Sequence, residues 1–290
     1  MALSVSSEHG ALSMLARIKT PQPPVSLEAT AFLEEAARTF RSPACSSDST
    51  LSFGIDLGTA TIVLTAIDQQ RRPVYWDNLP CQAVRDGVVV NFGDAVAAVK
   101  QLKIAATAAL QQEISAAATA FPPGVPLAEA RACRYVLENA GVTCRNLVDE
   151  VTAAQALLQL TEGAIVDVGG GSTGVGVVVD GAIVALDDEP GGGHHLDLIL
   201  AGALGISIEE AEERKRRGDQ DYSHILRPGV ERIASSIVRQ IGDHPVRSIH
   251  LVGGAVRVPH AASIVAAFSE IATWAYPHSE LVTPFGIAMS

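Results

Sequence analysis

Two stretches decide the fold: FGIDLGTATIVLTAID at residues 53–68 and AIVDVGGGSTGVGVVVDG at residues 164–181. Each begins as an apolar run that reaches an aspartate, Asp56 in the first and Asp167 in the second. Each then passes through glycines and hydroxyl residues and resumes as a second run rich in Ile, Val and Thr. Apolar, β-branched runs broken by small turn residues read as strand, tight turn, strand. One D-x-G turn is an ordinary hairpin. Two of them, about 110 residues apart and each near the start of one half of the chain, read as a duplicated unit.

Working outward, strand and helix signals alternate. Residues 72–79 (RPVYWDNL) read as a third strand and 93–114 (GDAVAAVKQLKIAATAALQQEI) as an Ala-rich helix. Residues 128–141 read as a helix closed by Gly141, 143–150 as a short strand and 151–160 as a helix. Helices follow at 194–204, 207–217 and 228–242, then a strand at 246–254 entering a helix over 259–272. Such β-then-α alternation predicts an α/β architecture. We expect lobe I over 51–155, lobe II over 156–282, and a C-terminal helix, 283–290, returning toward lobe I. Residues 1–50 differ in texture: Pro- and Ser-rich segments flank one amphipathic helix, with Ser26 as its N-cap and Leu27, Phe32, Leu33, Ala36 and Phe40 as its apolar stripe. That stripe suits either the body of the protein or a partner.

Bulk properties narrow the function. The 290 residues are 48% hydrophobic and 18% charged, enough for one large or two medium cores. A net charge of −11 argues against nucleic acid as the partner, because phosphate backbones are held by clustered Lys and Arg. The one dense basic run, 214–217, follows four glutamates and reads as a charged helix face. No apolar run reaches the length of a membrane span, and residues 1–15 lack the pattern of a secretory signal, so a soluble cytoplasmic chain is expected. Cys45, Cys81, Cys133 and Cys144 form no C-x-x-C pair and read as reduced thiols. The adjacent His194 and His195 do not share a helix face and read against a metal site.

The two turns suit a polyphosphate. Gly58 in the first and Gly169, Gly170 and Gly171 in the second lack a Cβ and tolerate φ > 0, so consecutive backbone N–H groups can point at an oxyanion. Thr59, Thr61, Ser172 and Thr173 add hydroxyls, and Asp56 and Asp167 at the strand ends are placed to hold magnesium through its waters. Neither a Walker A loop nor a Rossmann fingerprint is present. A third motif, HLVGGAVRVPH at residues 250–260, puts Gly253 and Gly254 between a strand and a helix, where a flat purine can approach, with Arg257 available to cover the ring.

The motifs GIDLGT, DEVTAA, VDVGGGSTG and LVGGAVRVP resemble, in order, the phosphate-one, connector-one, phosphate-two and adenosine motifs of the superfamily of DnaK-type chaperones, actins and sugar kinases. The likeness covers residues 51–290. GVVVNF, GGGHHLDLILAG, ISIEEAEERKR and LVTPFGIA make the chain similar to the EutJ family of ethanolamine-utilisation proteins. The resemblance implies an actin-like (ribonuclease H-like) duplicated two-lobe ATPase fold that binds ATP or ADP with magnesium. It implies that Glu150 orients the attacking water, that Glu212, Lys215 and Arg216 contact the adenosine edge, and that Gly253, Gly254 and Arg257 form the adenine site. The superfamily's acid is usually followed by proline, and Val151 stands there instead, so slow hydrolysis, or none, is expected. No peptide-binding domain is expected after the last motif. The function implied is a chaperone-like factor of an ethanolamine-degrading bacterial microcompartment, meeting a pathway enzyme or shell protein through residues 25–41. The alternatives are an actin-like filament or scaffold protein and a small-molecule kinase.

Overall fold

The computed structural model describes residues 27–44, 50–85 and 88–290. The predicted cap Ser26 and Cys45 lie outside them. The chain opens with α1 (Leu27–Arg38), then β1 (Ser52–Leu57), β2 (Thr61–Ile67), β3 (Pro73–Pro80) and a small hairpin of β4 (Val84–Arg85) and β5 (Val88–Val89). Next come α2 (Phe92–Leu110), β6 (Ala116–Phe121), α3 (Leu127–Asn139), β7 (Thr143–Asp149) and α4 (Glu150–Leu158). The second half runs β8 (Gly163–Val168), β9 (Ser172–Val179), β10 (Ala182–Pro190), α5 (Gly193–Leu204), α6 (Ile208–Arg217), α7 (Ser223–Ile241), β11 (Ser248–Val252), α8 (Ala261–Ser269), β12 (Ala272–Ala275) and α9 (Val282–Ala288).

The two sheets repeat one plan. The first has the order β3-β2-β1-β6-β7 and the second β10-β9-β8-β11-β12. In each, an antiparallel three-strand meander is followed by two parallel strands. The register matches as well: Leu57 pairs with Ile62 beside the first turn, and Val168 with Thr173 beside the second. One core packs Leu64, Val99, Leu102 and Leu137 between the first sheet and α2 and α3. Another packs Val166, Leu196, Ile237 and Leu251 between the second sheet and its helices. A third, with Val151, Leu157, Ile165, Val282 and Phe285, lies between them, so the expected lobe boundary at 155/156 falls inside a helix shared by both halves.

The shared layer is built on close approach. At Gly54 an added Cβ would meet the Ala288 N at 2.6 Å, so α9 lies directly on β1. The Thr65 hydroxyl on β2 donates to the Pro284 carbonyl at 2.8 Å, holding the same helix from the lobe I side. β6 was not foreseen, because AAATAF continues the Ala-rich texture of α2. Its Ala118 and Ala120 are small because Ala153 of α4 and Ile287 of α9 pack over them.

The amphipathic helix docks on its own body. Ala29, Leu33 and Ala36 are buried, Phe32 meets the Phe285 ring edge-on at 5.3 Å, and the Trp76 Nε1 donates to the Ala36 carbonyl at 2.9 Å. The expected stripe is corrected at its start: Leu27 is 85% exposed and Ala29 takes its place. Phe40 stays partly exposed and packs against Trp76 with ring centroids 4.6 Å apart and the planes tilted by 45°.

A buried histidine gives the fold a pH response. His250 on β11 is held between the Tyr276 hydroxyl, 2.8 Å from Nδ1, and the Ser248 hydroxyl, 3.2 Å from Nε2. Burial pushes its pKa down to about 4. Between an unfolded value of about 6.5 and this lower one, the unfolded chain binds more protons than the folded chain. The neutral ring's contribution, on the order of 3 kcal/mol, is therefore present above about pH 6.5 and lost as pH falls toward 4. Urea unfolding at pH 7 and pH 4.5 should show this loss in the parent and a smaller one in His250→Gln.

Candidate nucleotide cleft

The two D-x-G turns face each other. A Cβ on Gly170, in the β8–β9 turn, would lie 3.2 Å from the Thr59 Cβ and 3.8 Å from the Ala60 Cβ in the β1–β2 turn. The second turn is fixed from behind by the start of α5. The amides of Gly191, Gly193 and His194 donate to the carbonyls of Gly171, Gly169 and Gly170 at 2.8, 2.9 and 2.9 Å. Among the described residues, the amides of Thr59, Ala60, Gly170 and Gly171 donate to no group. Unpaired main-chain N–H groups on two facing turns form a concavity suited to anionic oxygens.

Two expectations about these turns are corrected. None of Gly58, Gly169, Gly170 or Gly171 adopts a positive φ. Lack of a side chain is what Gly58 and Gly170 supply: a Cβ on Gly58 would sit 2.7 Å from the Thr61 carbonyl oxygen, and Gly170 abuts Thr59. The Thr173 hydroxyl also faces inward, donating to the Gly191 carbonyl at 2.7 Å, so it braces the turn rather than offering itself to a ligand. Thr59 and Thr61 are half-buried at the turn, and Ser172 is buried.

Three acids gather beneath the turns. Asp56 and Asp167 are next to last in β1 and β8, and Glu150 is the first residue of α4, whose N-cap Asp149 accepts from the Thr152 N–H at 2.7 Å. Burial and then the Asp167 charge raise Asp56 to a pKa of about 7. Glu150 is raised well above the usual carboxylate range by burial, then by Asp167, Asp56, Asp188 and Asp149. Asp167 is raised by burial, against which the Thr283 hydroxyl donates to its Oδ2 at 2.5 Å. Among the described residues none of the three is paired with Lys or Arg. These are acids whose ionisation no neighbouring cation supports, set beside an anion cradle, the arrangement a cation between them would relieve. Among the described residues no three His, Cys, Asp or Glu side chains stand close enough to ligate a metal directly. His194 is exposed, His195 is half-buried, and their rings are 6.5 Å apart.

Val151 has a packing reason for replacing the superfamily's proline. It is fully buried, and its Cγ1 lies 2.4 Å from where a Cβ on Gly176 of β9 would be. The second residue of α4 is thus a branched plug seated on a glycine.

The outer wall of the cleft comes from α5, α6 and the turn after β11. Gly253, at φ 90°, passes so close to Asp167 that a Cβ would meet its Oδ1 at 2.4 Å, while Gly254 has open space above it. A 3-10 turn, Ala255–Arg257, separates this point from α8. Lys215 Nζ donates to the Gly193 carbonyl at 2.8 Å and lies 2.7 Å from Asp197 Oδ1, so it ties α6 to the start of α5. Glu212 pairs with Arg216 at 2.7 Å and Arg257 with Glu280 at 3.3 Å, leaving both arginines partly exposed at the rim. Of these, Lys215 is the residue brought to the start of α5 beside the second turn, and it is already engaged there. Asp197 and Thr283 were not anticipated, because their partners stand 18 and 116 residues away with no shared motif.

A duplicated pair of five-stranded sheets with facing hairpin turns is the actin-like fold. The MreB/Mbl family model matches residues 80–201. MreB5 of Spiroplasma citri bound to AMPPNP superposes with a TM-score of 0.66, covering 82% of this chain and 95% of that one, at 16% identity. Within this class the chain belongs to the EutJ family of ethanolamine utilisation proteins. It is 35% identical over 259 residues to EutJ of Salmonella typhimurium, covering 89% of this chain and 92% of that one. The crystal structure of EutJ from Carboxydothermus hydrogenoformans superposes with a TM-score of 0.82 at 35% identity, covering 90% of this chain and 99% of that one.

Proposed function

We propose that this protein binds magnesium-ATP in the cleft between its sheets, hydrolyses it slowly, and uses the change to act as a chaperone-like factor in ethanolamine utilisation, at a bacterial microcompartment in the cytoplasm. The carrying observation is the pair of turns with unpaired amides, Gly170 standing against Thr59, above Asp56 and Asp167. The amides of Thr59, Ala60, Gly170 and Gly171 would hold phosphate oxygens. Asp56 and Asp167 would hold magnesium through its waters, the mode that suits an ion that gives up its hydration reluctantly. The metal supplies charge neutralisation between the phosphates and the acids. Gly254, Arg257 and Glu212 line the wall for the adenosine. Because one turn comes from each lobe, only the closed arrangement engages both, and bound nucleotide favours closure.

Glu150 accepts a proton only when ionised, and its neighbours oppose ionisation until a cation offsets them. No hydrogen bond among the described residues fixes its carboxylate, which supports slow turnover. The proposed client is an ethanolamine-pathway enzyme or shell protein. Since the apolar face of α1 is occupied internally, the part of residues 25–41 left for a partner is the outward face carrying Glu28, Glu34 and Glu35.

One experiment tests binding, turnover and capture together. With magnesium-ATP, Glu150→Gln should bind like the parent and lose turnover by about 10²-fold or more, since a positioned base contributes roughly 10²–10⁴. Held in that state, it should co-purify its client, and charge reversal at Glu34 and Glu35 should abolish capture. Turnover equal to the parent's would remove Glu150 from the mechanism.

A further inference from the structure

Thr283 is buried in the first turn of α9 and donates its hydroxyl to Asp167 Oδ2 at 2.5 Å. The other oxygen of that carboxylate faces Gly253, where an added Cβ would meet it at 2.4 Å. Asp167 is therefore held on one oxygen by a hydroxyl and shaped on the other by a bare backbone. The helix that carries Thr283 is itself fixed. Its next carbonyl, Pro284, accepts from Thr65 on β2, and its Gly286 lies against the Ala153 carbonyl of α4. Two consecutive residues of α9 thus reach opposite halves of the molecule, Thr283 to β8 and Pro284 to β2.

We propose that Thr283 is the positioning residue for Asp167, setting the carboxylate's direction toward the magnesium position and coupling that direction to lobe I through α9. This rests on the nucleotide-cleft reading given above. A hydrogen bond from a neutral hydroxyl restrains the carboxylate's rotation without bringing the positive charge that a lysine or arginine partner would set against it. Thr283→Val is nearly isosteric and removes only the hydroxyl, and Thr283→Ser keeps the hydroxyl without the methyl.

The test is equilibrium binding of a fluorescent ATP analogue titrated with magnesium, beside binding in EDTA and thermal unfolding. In Thr283→Val, the magnesium concentration giving half-maximal binding should rise about tenfold, the size expected for one charge-assisted hydrogen bond. Binding in EDTA should stay at the parent's level, and Thr283→Ser should lie within about twofold of the parent. A purely structural threonine would shift the unfolding temperature and leave the magnesium requirement unchanged. If Thr283→Val does not fold, Thr283→Ala against Thr283→Ser makes the same comparison. An unchanged requirement in hydroxyl-less variants that fold overturns this proposal alone. A parent that binds no nucleotide overturns the cleft reading and this proposal with it.

Discussion

Gly286→Ala is expected to lower the unfolding free energy by more than about 4 kcal/mol, a value reached by few single substitutions. An alanine Cβ there would lie 1.9 Å from the Ala153 carbonyl oxygen and 2.5 Å from its carbon. Both are main-chain atoms of α4, so no side-chain rotation relieves the clash. The helices would have to separate. Phe285 and Val282 on one side and Val151 and Leu157 on the other share a single core, so separation opens apolar contacts along the whole layer. Against typical domain stabilities of about 5–15 kcal/mol, that loss is roughly a quarter of the molecule's margin or more. Urea denaturation monitored by circular dichroism measures it, and a loss under about 1 kcal/mol would mean that α4 and α9 do not cross at Gly286.

Asp167→Ala is expected to reduce magnesium-dependent ATP binding about 100-fold or more, about 2.7 kcal/mol, while the protein stays folded. The two halves of this expectation have different origins. The carboxylate is one of the two at the strand ends that face the phosphate turns, and alanine offers a magnesium hydration shell nothing in its place. Its removal also leaves the Thr283 hydroxyl without an acceptor, a cost of about 1–3 kcal/mol. Against that cost, the Asp167 charge is among the causes that raise Asp56 and Glu150, so both neighbours are relieved when it goes. The stability effects oppose one another and the binding effect stands alone.

Much of this was legible because duplication repeats its signals. The strand-Asp-Gly pattern occurred twice, and β1–β2 and β8–β9 are the hairpins it marked. Local pattern failed where tertiary packing chose the residues. β6 is made of alanines because two helices lie on it, and alanine signals helix when read alone. β12, four residues at a sheet edge, carried no strand signal of its own, and only its first residue, Ala272, falls within the predicted helix before it. α7 begins five residues before Pro228, at Ser223, because the buried Leu226 anchors the extra turn. In the site, close contact and not positive φ accounts for two of the glycines: Gly58 lies against the Thr61 carbonyl of its own turn, and Gly170 against Thr59 of the facing turn. Thr283 and Asp197 carried no local signal, since a hydroxyl or carboxylate gains its role only when a distant element arrives beside it.

The central claim is that the facing turns and the acids beneath them form one magnesium-nucleotide site. Titration calorimetry of ATP into the full chain, with magnesium and with EDTA, tests it most directly. The account predicts one nucleotide per chain, bound at least tenfold more tightly with magnesium, and loss of that difference in Asp167→Ala. No binding in either buffer, or equal affinity with and without magnesium, would contradict it.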